Sequence, residues 1–150
     1  MSTLTTADNY FALAPFLGIG QLHVIKSCLR GEEAGHFRAL LATYADRVRT
    51  MPQTYDTEKL STAWDERRAR NEVTGPYQPL AYLHYFVGSC DWYITEKDSD
   101  PDGEGQIQAF GSANLGYGSE IGYISIAELT KAGAELDLYF TPKPLAECAV

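Results

Sequence analysis

Cysteine is scarce and scattered in this chain. Its three residues, Cys28, Cys90 and Cys148, form no C-x-x-C pair. That excludes a disulfide framework and suits reduced thiols. Long apolar runs are missing too, since none approaches the roughly 18 residues a membrane-spanning helix needs. The opening M-S-T-L-T-T-A-D-N-Y lacks the basic and apolar regions of a secretory signal. The expected location is therefore the cytoplasm, away from membranes. Histidine is limited to His23, His36 and His84, and only His23 has another His or Cys within five residues, Cys28. One such pair falls short of a zinc site.

The usual catalytic signatures are absent as well. There is no G-x-S-x-G nucleophile turn. The glycine-rich L-G-Y-G-S-E-I-G (115–122) has no phosphate-binding lysine and no βαβ context, so it is not a nucleotide loop. G-S-C-D-W (88–92) puts Cys90 at the start of a strand, where a cysteine is a half-buried apolar residue. His84 between Tyr82 and Tyr85 reads as a sheet residue. No catalytic residue, metal ligand or cofactor is expected.

Positive charge is what the second half lacks most. Residues 1–75 carry nine Lys/Arg against nine Asp/Glu, whereas residues 76–150 carry three against eleven, which accounts for the whole net charge of −8. A strong negative potential on one face is expected, repelling nucleic acid and attracting basic partners.

What is present is ordinary for a folded chain of 150 residues: 45% hydrophobic and 12% aromatic content, with ten tyrosines. One domain with a packed core is expected. Thr5 or Thr6 can cap a short helix that Pro15 ends, and Q-L-H-V-I-K-S-C-L-R continues as a second helix up to Gly31. From Glu32 to about Thr50, Phe37, Leu40, Leu41, Tyr44, Ala45 and Val48 recur at helical spacing, which predicts one buried stripe. Residues 53–79 read as a peripheral insertion. Its D-T-E-K-L-S-T-A-W-D-E-R-R-A-R-N-E can form an exposed helix, with Arg67, Arg68 and Arg70 paired to nearby acids rather than to nucleic acid.

After Leu80 the period becomes two. Strands are expected at 80–87, 90–97, 106–115, 121–125 and 135–142, with a Gly88-Ser89 turn and a short helix capped by Ser125. The fold class is α+β: a helical part (1–52) on one face of a mostly antiparallel sheet of four or five strands (80–145), with one further short helix.

The stretch D-S-D-P-D-G-E-G (98–105) begins like a calcium loop. Asp98, Asp100, Asp102 and Gly103 occupy positions one, three, five and six, but Ala109 stands where the bidentate glutamate belongs. A proline-glycine turn between strands is the simpler reading.

The segments D-W-Y-I-T-E-K-D (91–98), Q-A-F-G (108–111), G-Y-G-S-E-I-G-Y-I-S-I-A-E-L (116–129) and E-L-D-L-Y-F-T-P-K-P-L (135–145) resemble, in that order, a family of small domains of unknown function. That family is carried on plasmids, prophages and integrative elements of proteobacteria. The resemblance spans residues 80–145 and implies an accessory protein of a mobile element in a bacterial cytoplasm. Small acidic proteins in that setting often antagonise host restriction or CRISPR systems.

Two functions are therefore expected candidates. The first is a non-enzymatic inhibitor of host defence, of anti-CRISPR or antirestriction type, that binds a basic nucleic-acid-binding protein of the host. Its contacts would be Asp91, Glu96, Asp98, Asp100, Asp102, Glu104 and Glu120, with Trp92 and Tyr117 as aromatic anchors. The alternative is a small metal-dependent hydrolase using the acidic loop 98–104 with His84.

Overall fold

The structure is a computed structural model, and it describes residues 4–148. Its first helix, α1 (Thr6–Leu13), begins at Thr5. The Thr5 hydroxyl accepts from the Asp8 amide and the Asp8 carboxylate accepts from the Thr5 amide, a reciprocal cap. Pro15 lies in the short 3-10 turn Ala14–Phe16 that follows, and α2 (Ile19–Cys28) comes next.

The long helix α3 (Ala34–Thr50) starts two residues later than its charge pattern suggests, because Gly31–Glu33 are held in a turn. Leu41, Tyr44, Ala45 and Val48 form its buried stripe, while Phe37 and Leu40 are half-buried near its start. Arg49 of α3 ties α1 down by donating to Asn9 Oδ1 (2.9 Å) and the Asp8 carbonyl (3.2 Å). Lys97 caps the same C-terminal end of α3, its ammonium donating to the Val48 carbonyl at 2.5 Å and burial drawing its pKa down.

No residue of 53–79 is buried. Helix α4 (Asp56–Ala69) has no buried residue, and its arginines form exposed ion pairs: Arg68 with Asp65, and Arg67 and Arg70 with Glu72. Trp64 folds back on Tyr77 and donates to the Gly75 carbonyl.

The sheet is built from β2 (Leu83–Val87), β3 (Cys90–Glu96), β4 (Ala109–Asn114), β5 (Ser119–Ile124) and β6 (Glu135–Leu136), in spatial order β5-β4-β3-β2-β6 and wholly antiparallel. A meander of four strands is followed by α5 (Ile126–Lys131), capped by Ser125, which carries the chain to the far edge. The fold is α+β.

Alternation gives the sheet two different faces. Leu83, Tyr85, Ile94, Ala109, Ile124 and Leu136 join Leu13, Phe16, Leu41, Tyr44 and Ile126 in the main core. Tyr93, of opposite parity, packs on the other face against a second cluster of Ala81, Phe140, Leu145 and Cys148. Two-residue strands, Leu80–Ala81 (β1) and Lys143–Pro144 (β7), pair beneath that face, and the short helix α6 (Leu145–Cys148) completes the cluster.

The strand expected over 135–142 is therefore corrected to two residues. Its pairing stops at Asp137, whose Oδ1 accepts from the Tyr139 amide (2.9 Å) and turns the chain. The Tyr44 hydroxyl holds this turn by donating to the Asp137 carbonyl (2.7 Å) and accepting from the Phe140 amide (3.0 Å). Phe140 thus passes to the second face. The 80–87 strand is similarly interrupted at Tyr82, which lies between β1 and β2.

Sheet closeness is most demanding at Gly111. The β3–β4 register shifts between Ile94 and Glu96, and a Cβ on Gly111 would overlap the Tyr93 carbonyl oxygen.

Candidate functional site

The acidic loop is an ordered structure built around Asp98. Asp98 is 8% exposed, and its carboxylate accepts from three backbone amides: Asp100 (2.9 Å), Ile107 (3.1 Å) and Gln108 (3.0 Å). Buried Gln106 reads the Asp98 backbone both ways, accepting from its amide and donating to its carbonyl. Asp100 adopts a left-handed backbone (φ 51°) and accepts from the Gly105 amide. Carboxylate oxygens occupied by amides in this way act as internal struts, each charge-assisted bond stronger than a neutral one. Among the described residues, no three His, Cys, Asp or Glu side chains converge as a metal-ligand set.

Glu96 is also internal. It is 3% exposed, and its Oε2 accepts from the Thr57 amide at the start of α4 (2.9 Å), which pins the peripheral helix to the sheet. Trp92 faces the main core and packs against it half-buried. Trp92, Glu96 and Asp98 are accordingly corrected from surface contacts to structural residues: alternation and a bulge turn them inward, which a count of carboxylates in sequence does not register.

Asp91 has a different role again. His84 is clamped between two carboxylates, with Nε2 2.7 Å from Asp91 Oδ1 and Nδ1 3.1 Å from Asp137 Oδ2, and it stacks on Tyr93 at 4.6 Å between centroids. Carboxylates only accept, so both contacts are hydrogen bonds when the imidazole carries two protons. The cluster ties the β2–β3 hairpin to the turn after β6. Neither ring nitrogen is free for base or ligand chemistry, and His84 is engaged here and not by the acidic loop. Sequence reasoning missed this constellation. Hairpin register could have brought Asp91 near His84, but Asp137 arrives only because β6 pairs with β2.

The remaining expected contacts are on the surface. Asp102, Glu104 and Glu120 are exposed, and among the described residues none of their carboxylates takes part in a hydrogen bond or ion pair. Tyr117, at the tip of the β4–β5 hairpin, is 97% exposed. Asp100 is half-buried in the loop that carries Asp102 and Glu104.

The expectation of one acidic face also needs correcting. Exposed Glu120 on β5 and Glu135 on β6 lie at opposite edges of the sheet, while Glu128 on α5 and Glu147 on α6 lie on opposite faces. Charge segregated along the chain is thus spread in space, because the sheet-forming half supplies both edges and part of both layers. What survives is local: no lysine or arginine occurs between Lys97 and Lys131, a segment that contains the loop, the β4–β5 hairpin and all of β5.

No protein-family model, curated protein or solved structure matches the chain.

Proposed function

We propose that the protein is a non-enzymatic binding protein that engages a basic protein through the loop and β4–β5 hairpin. The observation that carries this reading is a segment without a cation that exposes unpaired carboxylates at both ends of β4, Asp102 and Glu104 in the loop before Ala109 and Glu120 beside the 97% exposed Tyr117 at the hairpin end. Charges with no internal partner are free to meet a basic surface. An exposed aromatic supplies the apolar anchor that a charged rim alone lacks.

The partner class this chemistry selects is a nucleic-acid-binding protein, whose basic groove evolved to meet phosphates. Together with the resemblance to domains of proteobacterial mobile elements, this makes an inhibitor of a host defence complex, of anti-CRISPR or antirestriction type, the functional reading. The bound carboxylates of Asp98 and Asp100 and the clamped ring of His84 disfavour the metal-dependent hydrolase.

The test is capture of basic proteins from a proteobacterial lysate, followed by association rates with the purified partner across a salt series. Reversing Asp102, Glu104 and Glu120 to Lys should slow association and flatten its salt dependence, since surface charges are screened over about 8–10 Å. The same reversals at Glu32, Glu33 and Glu58, also exposed, should matter less. Equal effects of the two sets, or association indifferent to salt, would reduce the acidic segment to a solubility feature.

A further inference from the structure

Strand β5 is an open edge of the sheet. Its six residues pair in unbroken register with β4, from Ala109↔Ile124 to Asn114↔Ser119, and its other side has no strand neighbour. Among the described residues, no further backbone hydrogen bond reaches Ser119–Ile124. Natural edges are commonly blunted by lysine, proline, a bulge or a covering element. S-E-I-G-Y-I contains no lysine or proline, and its register contains no bulge. Ile121 and Tyr123 are 68% and 58% exposed on the face opposite the main core, where the Tyr123 hydroxyl donates to the Tyr55 hydroxyl at the start of α4 (3.2 Å).

Beside that edge runs a groove of about 290 Å³, lined by Gln78, Pro79, Ser112, Ser119, Ile121 and Leu145. It lies between the outer face of β4–β5 and the C-terminal segment. An added strand would place alternate side chains over Ser119, Ile121 and Tyr123, next to this largely apolar groove. The intervening side chains would lie on the opposite face, beside Glu120, with no cation nearby in the segment to repel a basic one.

We propose that β5 is a strand-addition site for an extended segment of a partner protein, in which apolar residues alternate with Lys or Arg. The main chain of that segment pairs with the free edge, its apolar side chains cover Ile121 and the groove, and its cations meet Glu120. A second copy of the chain is the less suited occupant, because each copy brings a net charge of −8. This inference rests on the binding reading above and supplies its geometry.

The probe is a fluorescein-labelled peptide of alternating lysine and valine, about as long as β5, followed by fluorescence anisotropy. Binding should weaken at least about ten-fold when the peptide is N-methylated along its pairing edge, and similarly with Ile121→Lys, a change at an exposed position that leaves the core intact. A glutamate–valine peptide should not bind, and Glu120→Lys should weaken the lysine peptide.

Undiminished binding of the N-methylated peptide, or indifference to Ile121→Lys, overturns strand addition. So does sedimentation showing a dimer of the protein that Ile121→Lys dissociates, since the copy is then the occupant. If the captured partner still associates in a salt-dependent way with the Ile121→Lys protein, strand addition fails while the acidic-surface reading stands. If Ile121→Lys abolishes association while reversal of Asp102 and Glu104 does nothing, the edge stands and the acidic-surface reading fails.

Discussion

Removing one oxygen from the centre of α3 tests how the two cores are joined. Tyr44 is 2% exposed, and its hydroxyl hydrogen-bonds to both ends of the turn 137–140. In Tyr44→Phe the ring stays, so no large cavity opens and the main-core packing is preserved. The Phe140 carbonyl retains the Arg47 guanidinium at 2.9 Å. The Phe140 amide keeps only a long 3.4 Å contact with the Asp137 carbonyl, and that carbonyl loses its 2.7 Å donor. One poorly satisfied buried donor and one lost acceptor bond predict a destabilisation of about 1–3 kcal/mol. Urea denaturation followed by tryptophan fluorescence should show a lower midpoint with an unchanged slope, because the surface exposed on unfolding is the same. Tyr44→Leu should cost more, for it adds a cavity. A loss below about 0.5 kcal/mol in Tyr44→Phe would mean that the turn is held by β1–β7 pairing and Phe140 burial alone.

Three further outcomes are expected. Gly111→Ala should abolish cooperative folding or lower the midpoint more than any other single sheet substitution, since its methyl meets the Tyr93 main chain; circular dichroism melting checks this, and a neutral result would show that β3 can move away. Asp98→Asn should cost about 1.5–3 kcal/mol by chemical denaturation, because an amide cannot offer two anionic acceptors to three backbone donors; a loop that tolerates it is an ordinary turn. Alkaline stability should fall as pH rises above about 10, where unfolded tyrosines ionise while burial keeps Tyr85, Tyr44 and Tyr82 protonated in the folded state. Lys97 acts in the opposite sense: burial lowers its folded pKa, so stability gains as pH rises from there towards about 10.4, but it is one group against several. A urea midpoint that stays constant from about pH 8 to about pH 11 would refute tyrosine ionisation as the source of alkaline destabilisation.

Local chemistry by itself determined the elements. The Thr5–Asp8 cap, the stripe of Leu41, Tyr44, Ala45 and Val48, the Ser125 cap and the alternation of β2–β5 each arise between residues a few positions apart, where spacing alone fixes which side chains share a face. The α+β class follows from the same short-range pattern. Strand ends did not, because the 135–142 run has strand-like alternation yet is turned at Asp137 by groups from α3 and β2. Nor did the role of any one carboxylate. Asp98 and Glu96 resemble Asp102 and Glu120 in sequence, but the energy of a charge depends on what surrounds it, and backbone amides from Ile107, Gln108 and Thr57 reach only the first two. The clamped His84 and the open β5 edge likewise exist only once strand order is set. Which strands become edges depends on pairing between distant segments, and that is decided by the tertiary structure.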